Sequence, residues 1–478
     1  MIKPIQPKPG TKRLNLAKFK LKPQVKTEFK LKLLNCFQST TSHGLPNMFK
    51  THSLTIRLLW IACTLISTIL CSYMVISSVN EYFEYDVVTK IRVIDQVPLE
   101  FPTITICNLD PFQAEFGTEF LRNLTLEKHK FDLNSYSNAS LPSFFSWIYN
   151  TKSEALRQAS NPSFGDKNRK ALGFNLEESL YYCAFNYINC SHLNFSWYYD
   201  YSFGNCYQFN SGFDSNGTSI PLMGVNRPGE TGGLYLLFFL KSLDNPGSYE
   251  ASKGLKIFVH NKSNPYLPND GIEIKPSTKT NIGIRKTTTF KEPSPYSTCQ
   301  GDDKAYSQDV CINQCKQKLT IQKCNCYDLK RPNDSSYPAC LSQAQVKCLE
   351  SLFYEIDRCY LECPNECCST RFDFMFSNSK YPNGNLFKFE QYNPFFLNKN
   401  ATLDDFIEKS LALHIYYPEL KYTVISESPK ESAISLLANI GGTLGLFLGK
   451  FMFLFFFRVI LLKLNFFRYK YSELCGDI

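Results

Sequence analysis

Two long apolar stretches lie near opposite ends of the chain, and the residues between them are mixed in polarity. The first stretch, Leu58–Val79, contains no charged residue. With about 20 apolar residues it is long enough to cross a hydrocarbon core about 30 Å thick. The second stretch, Ser435–Leu462, is at least as long. We therefore predict two membrane-spanning helices.

The second stretch has features that a simple anchor does not need. Gly441, Gly445 and Gly449 are spaced four residues apart, and Lys450 lies near the middle. Glycines at this spacing share one helical face and permit close helix packing. A charge at membrane depth must face protein or water. Packing of an anchor explains the glycines alone, whereas Lys450 favours a helix that lines a pore.

Hydrophobic periodicity between the two stretches predicts a mixed α+β domain. Pro98–Asn108 alternates as a strand does, with the phase shifting near Pro102. Leu234–Leu240 and Leu255–His260 are rich in aromatic and branched residues and read as strands. Phe144–Tyr149 is an aromatic patch of helical character.

Charge indicates the orientation of the first span. Residues 1–57, which precede or begin this span, contain twelve Lys or Arg residues and the single acid Glu28. The positive-inside rule places this leader in the cytosol. The leader is too long for an ordinary signal peptide, so we interpret the run as a retained span. Basic residues can also bind nucleic acid, but beside a membrane span they are expected to face anionic lipid.

Two spans return the chain to the cytosol, so the middle segment is expected outside the cell. Acceptor sequons N-x-S/T agree with this, because all of them fall in the middle segment. They are at Asn123, Asn138, Asn189, Asn194, Asn216, Asn261, Asn333 and Asn400.

Fifteen of the nineteen cysteines lie between Cys107 and Cys368. Such density outside the cell indicates a disulfide framework, although spacing alone leaves the connectivity open. The pairs Cys324-x-Cys326 and Cys311-x3-Cys315 also resemble zinc-ligand spacings. No histidine accompanies them between residues 299 and 368, so disulfides are favoured and no metal is expected.

Catalytic motifs are missing from the sequence. We find no nucleotide-binding loop, hydrolase elbow or internal repeat. The histidines of the middle segment, His129, His192, His260 and His414, have no nucleophile partner that sequence identifies, and we expect them at the surface. The chain is therefore predicted not to be an enzyme and to need no cofactor.

Five ordered motifs resemble the degenerin, epithelial sodium channel and acid-sensing ion channel superfamily. They are FPTITICN (101–108), FGNCYQFNSG (203–212), SPYSTC (294–299), CNC (324–326) and LLANIGGTLGLFLG (436–449). The resemblance extends from about His43 to Leu462. It implies a trimeric sodium channel with the second span lining the pore on the three-fold axis, and sodium as the permeant ion.

The resemblance also implies a domain plan. Residues 1–53 form a cytoplasmic N-terminus, 54–82 the first transmembrane helix, 83–430 a cysteine-rich extracellular domain, 431–462 the second transmembrane helix and 463–478 a cytoplasmic C-terminus. The extracellular domain is expected to have a β-palm and a β-ball flanked by helical finger, knuckle and thumb regions. The expected location is the plasma membrane.

Crosslinks carried over from the family are Cys107–Cys206, Cys183–Cys190, Cys299–Cys367, Cys311–Cys363, Cys315–Cys359, Cys324–Cys348 and Cys326–Cys340. Cys368 is left over, and its neighbour Cys367 could exchange with it. Further roles implied by position are a gating motif at His43 and Gly44, coupling of thumb to membrane helices by Tyr85 and Tyr296, and a small gate residue at Ser435. Asn439, Gly441 and Gly442 form the outer mouth.

The selectivity tripeptide departs from the family pattern of Gly-x-Ser. In this chain Gly445 lies one helical turn before the matching residues Gly449, Lys450 and Phe451. Phenylalanine therefore replaces the serine, and the middle residue is charged. Asn439 stands where many sodium-passing relatives have aspartate. Lost carboxylates and added cations weaken attraction for sodium. A non-conducting or regulatory subunit of a heterotrimer therefore remains an alternative to a conducting one.

The two residues after Tyr85 bear on the gating stimulus. Proton-gated relatives have a histidine pair there, and this chain has Asp86 and Val87, which argues against fast acid gating. The compact extracellular domain resembles peptide-gated invertebrate members. We hypothesise an amiloride-sensitive channel opened by an extracellular peptide, assembled as a homotrimer or with sibling subunits, in contact with lipid and not with nucleic acid. An ATP-gated two-span channel is a remote alternative.

Overall fold

The computed structural model describes residues 35, 46, 51, 53–129, 141–240, 252–262, 271–300, 306–331, 336–352, 357–397, 399 and 401–448, without the side chains of 125–129, 141–149 and 448. The chain divides into two compact units. Residues 1–86 and 429–478 form the membrane unit, and Val87–Ser428 form the second unit, which we call the ectodomain.

The helices are α1 (Leu54–Phe83), α2 (Glu115–His129), α3 (Leu141–Ser160), α4 (Asp166–Leu172), α5 (Leu176–Ser179), α6 (Gln308–Cys324), α7 (Gln343–Ser351), α8 (Asp357–Glu362), α9 (Gly384–Glu390), α10 (Pro394–Leu397), α11 (Leu403–Lys409) and α12 (Ala433–Leu448). Within the described residues, α1 alone is long and apolar enough to cross a membrane. The apolar helix α12 packs against α1 within the membrane unit.

The strands are β1 (Val87–Asp95), β2 (Leu99–Glu100), β3 (Thr103–Asn108), β4 (Leu180–Phe185), β5 (Ile188–Asn189), β6 (Phe195–Asp200), β7 (Gly204–Phe209), β8 (Gly224–Val225), β9 (Leu234–Phe239), β10 (Leu255–His260), β11 (Ile272–Ile274), β12 (Thr278–Phe290), β13 (Cys368–Lys380), β14 (Ser410–Tyr416) and β15 (Lys421–Pro429). The predicted strands at 234–240 and 255–260 are confirmed.

Three sheets organise the ectodomain. The largest runs in the order β1-β15-β12-β14-β9-β4-β5, with β13 also paired to β12. A second sheet runs β11-β10-β3-β7-β6, and β2 pairs with β8. Strand β12 is the hub of the largest sheet. It pairs antiparallel with β13 along its whole length, and parallel with β14 and then β15.

One apolar core lies between the two larger sheets. Leu234, Leu236 and Phe238 alternate inward from β9, as expected for a strand with one buried face. They meet Ile106 and Phe209 from the second sheet, and all five are fully buried. Removing one such phenylalanine side chain costs about 3–5 kcal/mol. The mixed α+β class is therefore built on sheet-to-sheet packing.

Smaller helical cores flank the sheets. Helices α2, α3 and α4 bury a cluster that includes Leu121, Leu156 and Leu172. Gly117 of α2 permits this packing, because a Cβ atom there would lie 1.9 Å from the carbonyl oxygen of Leu172. A second cluster joins Phe239 to the short helices α10 and α11. The aromatic patch predicted as helical falls within α3.

The predicted strand at 98–108 is two strands. Strand β2 ends at Glu100 and β3 begins at Thr103, and each pairs in a different sheet. Pro102 lacks a backbone N–H and interrupts the ladder. The phase shift seen in the sequence thus marks the passage of the chain from one sheet to the next.

Candidate functional site

The outer end of α12 is fixed by local polar contacts. Ser432 caps the helix, because its hydroxyl accepts from the backbone N–H of Ser435 at 3.0 Å. Ser435 therefore lies in the first turn, where its small side chain is half-buried. The amide Nδ2 of Asn439 donates to Oε1 of Glu431 at 2.7 Å. A carboxylate thus accompanies the position where the sequence alone shows only the neutral Asn439.

The small-residue face of α12 is open in the single chain. Among the described residues, no atom lies within 4 Å of a Cβ atom built on Gly441, Gly442 or Gly445. These glycines are exposed in the single chain. Close approach of another helix is the packing role that such a face serves in membranes.

Lys430 links the lead-in to α12 with the end of α1. Its ammonium group lies 2.9 Å from Oε1 of Glu81 and 3.4 Å from Oδ2 of Asp86. Its backbone N–H also donates to the carbonyl oxygen of Asp86 at 2.9 Å. The hydrogen bonds to Glu81 and then to Asp86 raise the pKa of Lys430. The sequence did not predict this contact, although it shows a lysine immediately before one span and acids at the end of the other.

The proposed coupling tyrosines lie in different units. Tyr85 follows α1 in the membrane unit with φ +54° and is half-buried beside Tyr82 and Phe83, with ring centroids 6.2 Å away in each case. Left-handed backbone is unfavourable for a bulky residue, so the chain turns at a strained position here. Tyr296 is half-buried in the ectodomain, in the turn after β12.

Several predicted site residues lie outside the described residues. They are His43, Gly44, Gly449, Lys450, Phe451, Asn138, Asn333 and Asn400. The described sequon asparagines, Asn123, Asn189, Asn194, Asn216 and Asn261, are all exposed in the ectodomain.

The disulfides of the ectodomain are Cys107–Cys206, Cys183–Cys190, Cys299–Cys367, Cys311–Cys363, Cys315–Cys359, Cys324–Cys348 and Cys326–Cys340. These are the same pairs that the family resemblance implies. Cys368 is free and half-buried. The cysteines of the zinc alternative all form disulfides instead.

Helix geometry explains two of these crosslinks. Cys311 and Cys315 are one turn apart on α6, so they lie on the same helical face. Cys359 and Cys363 have the same four-residue spacing; Cys359 belongs to α8, and Cys363 immediately follows it. Both pairs have Cα atoms 5.8 Å apart. The two helices are therefore joined twice along one face.

The prediction that the ectodomain histidines are at the surface is wrong for two of them. His260 and His414 are 6% and 4% exposed. Both belong to strands whose inward side chains form the core. His192 is partly exposed and lies 3.9 Å from Glu177.

Each buried histidine has polar partners. Nδ1 of His260 donates to the carbonyl oxygen of Asn261 at 3.1 Å, and its Nε2 is 2.8 Å from the hydroxyl of Thr105. Nε2 of His414 donates to the carbonyl oxygen of Gly232 at 3.0 Å. Burial lowers the pKa of both imidazoles below the ordinary value. Both are therefore neutral structural groups.

Comparison with known proteins identifies the family. A family model described as "Amiloride-sensitive sodium channel" matches residues 36–451. Acid-sensing ion channel 2 of Rattus norvegicus is 27% identical over 439 residues, covering 86% of this chain and 82% of the relative. Epithelial sodium channel subunit gamma of the same species is 24% identical over 520 residues, covering 86% and 78%. The FMRFamide-activated amiloride-sensitive sodium channel of Cornu aspersum is 26% identical over 327 residues, covering 63% and 48%.

The family match includes the disulfide-rich ectodomain and both apolar helices. Relatives named as channels and channel subunits cover most of this chain. The family consists of ion channels and not of enzymes. The chain belongs to the amiloride-sensitive sodium channel family, within the degenerin, epithelial sodium channel and acid-sensing ion channel superfamily.

Proposed function

We propose that the chain is a subunit of a trimeric, peptide-gated, amiloride-sensitive channel that passes sodium across the plasma membrane. The family match over residues 36–451 carries this proposal. Residues 54–82 and 431–462 would span the bilayer, both termini would be cytoplasmic, and residues 83–430 would be extracellular. The basic leader and the exposed sequon asparagines support this orientation.

Assembly is supported by the open face of α12. Gly441, Gly442 and Gly445 are exposed, and in the described part of the chain no atom outside the local helix backbone lies within 4 Å of a Cβ atom built on them. Burying this face against two further subunits would place α12 around a common axis. Membrane helices associate by such close packing of small residues. Sibling subunits of the same family could supply the other two helices.

Cation attraction at the outer mouth is supported by Glu431. Its carboxylate lies 2.7 Å from the side-chain amide of Asn439, in the first turns of α12. Three copies in a trimer would place three carboxylates near the entrance, where rings of acidic side chains favour cations. This contact favours a conducting subunit despite the neutral side chain of Asn439.

Gating by an extracellular peptide is supported by similarity to a relative named as FMRFamide-activated. The acid side chain of Asp86 stands where proton-gated relatives have histidine, and it contacts Lys430. Histidine, the side chain whose ordinary pKa lies near neutral pH, is therefore absent from this position. A ligand other than the proton is therefore the stimulus that we propose.

The test is electrical recording from cells that express the chain. A panel of short amidated peptides is applied to the chain alone and with sibling subunits, and amiloride is added to any current. We expect a peptide-evoked inward current that reverses near the sodium equilibrium potential and is blocked by amiloride. Absence of peptide-evoked current in every combination would reject peptide gating.

A non-conducting regulatory subunit is the second candidate, because Phe451 replaces the serine of the selectivity tripeptide and Lys450 puts a charge at its middle position. Three ammonium groups in a constriction would oppose cation passage. The deciding measurement compares the wild type with the double variant Lys450→Ala, Phe451→Ser. A silent wild type and a sodium-selective double variant would establish the regulatory role, and a conducting wild type would exclude it.

A further inference from the structure

A cavity of about 680 Å³ lies within the ectodomain. None of the roles described above for the disulfides or the membrane helices involves this cavity. Its floor is the largest sheet, at strands β12, β13 and β15. One wall is the start of α6, with Tyr306, Ser307 and Asp309. This volume is in the range of pockets that hold small organic molecules.

Strand register builds the floor from neighbouring side chains. Lys286 of β12 pairs with Tyr422 of β15 on one side and with Phe372 of β13 on the other. Residues paired in this way point to the same face of a sheet. All three line the cavity. A lysine therefore lies between two aromatic side chains in one cross-strand row.

The next two rows extend the same face. Thr288 pairs with Thr370, and Phe290 pairs with Cys368. The free thiol of Cys368 therefore lines the cavity two rows from Lys286. A reagent that enters the cavity would reach this thiol, which provides a local reporter of occupancy.

Lys286 is half-buried and has no acidic partner in the part of the chain that the structure describes. Glu366, an acid on the opposite wall, is engaged elsewhere. Oε1 of Glu366 accepts from the backbone N–H of Gln308 at 2.9 Å, where it caps α6. Arg371, at the rim, is 3.1 Å from Asp373. The uncompensated charge on the floor is therefore positive.

A second lysine lines the same cavity. Lys262 lines the cavity and a narrower cleft beneath it, as do Lys286 and Glu100. Its Nζ would lie 2.3 Å from a Cβ atom at Gly212, so it rests on the backbone there, and it lies 5.6 Å from the ring centroid of Phe213. No described ion pair joins Glu100 to either lysine.

We propose that this cavity binds a small organic anion with a flat apolar body, of the aromatic carboxylate class. The carboxylate pairs with the ammonium group of Lys286, and the apolar body packs on the rings of Phe372 and Tyr422. Charge-assisted hydrogen bonds are the strong ones in such a partly enclosed site. The site lies in the ectodomain and does not depend on the peptide hypothesis.

The test uses the full chain in lipid nanodiscs and titrates 3-(4-fluorophenyl)propionate by fluorine NMR. The neutral amide of the same compound is the ligand control. Lys286→Gln removes the central charge. Arg285→Gln is the matched protein control, because it removes one charge from the adjacent position of β12, whose side chain points to the other face of the sheet.

Labelling of Cys368 with the anionic reagent 2-sulfonatoethyl methanethiosulfonate shows whether the ligand binds in this cavity. The relevant signal is the labelling that Cys368→Ser abolishes. The carboxylate should slow this labelling, and the amide should not. Labelling of Cys368 in the Lys286→Gln protein without ligand also verifies that the variant retains an accessible cavity.

We expect saturable binding of the carboxylate, a loss of about tenfold or more in affinity with Lys286→Gln, and less than a twofold change with Arg285→Gln. Equal affinity for carboxylate and amide would overturn the proposal, because it would show adventitious apolar binding. Unchanged affinity in Lys286→Gln, failure to protect Cys368, or no saturable binding to the wild type would overturn it equally.

Discussion

Asn210 follows β7 within the FGNCYQFNSG motif, and its side chain ties three chain segments together. Its Nδ2 donates to the carbonyl oxygens of Phe101 at 2.6 Å and of Met223 at 3.3 Å. Its Oδ1 accepts from the backbone N–H of Met223 at 2.7 Å. The residue is 1% exposed and has φ +58°. It therefore holds the break between β2 and β3 against the segment before β8.

The contacts set the magnitude expected for substitutions. Asn210→Gly removes the three side-chain hydrogen bonds, at about 1 kcal/mol each, or about 3 kcal/mol in all. Asn210→Ala removes the same bonds and places in left-handed backbone a residue that tolerates this conformation less well than asparagine or glycine, which costs about 1 kcal/mol more. Alanine should thus be the more destabilising change, the reverse of the order in a helix or strand interior.

The assay is thermal unfolding of the full chain in nanodiscs, followed by loss of the folded peak on size exclusion. At about 2 °C per kcal/mol, we expect a midpoint about 6 °C lower for Asn210→Gly and about 8 °C lower for Asn210→Ala. Asn216→Gly, at an exposed position in the following loop, is the control. A wild-type midpoint in Asn210→Ala, or a lower midpoint for glycine than for alanine, would refute the reasoning.

Two further predictions concern charge. Lys430→Glu places a third carboxylate beside Glu81 and Asp86, so amide hydrogen exchange at residues 426–434 should accelerate up to a few-fold. Adding Glu81→Lys to this variant should reverse the acceleration. Equal exchange in the single and the double variant would contradict the contact. Because burial lowers the pKa of His260 and His414, their neutral forms stabilise the fold fully above the ordinary value near 6.5, and this contribution falls as pH drops below it. His414→Gln should therefore show a smaller fall in midpoint between pH 7.5 and 5 than the wild type, and an identical fall would argue against this titration.

Local patterns predicted the elements that depend on local physics. Long apolar runs indicated α1 and α12, because a helix needs only its own length to span a membrane. Alternation indicated β9 and β10, because strand faces differ every second residue. The break at Pro102 was visible for the same reason. The pairing of cysteines was different, because spacing alone permits many connectivities, and the family resemblance was needed to select one.

The tertiary structure decided which side chains meet. Asn210 and Phe101 are far apart in sequence, as are Lys430 and Glu81, and no local pattern reports such contacts. The sequence predicted His260 and His414 at the surface, but both belong to strands that the sheets bury. Lys286 became a candidate ligand only when parallel and antiparallel register placed it between Tyr422 and Phe372.

The sequence by itself thus determined a membrane-anchored, disulfide-rich channel subunit, because apolar length, charge asymmetry and ordered motifs are properties of the chain alone. Only the folded structure decided where uncompensated charge lies. Strand pairing and helix packing bring together residues hundreds of positions apart, and the energy of a charge depends on those neighbours and on burial. Glu431 beside Asn439 and Lys286 on the cavity floor both follow from that dependence.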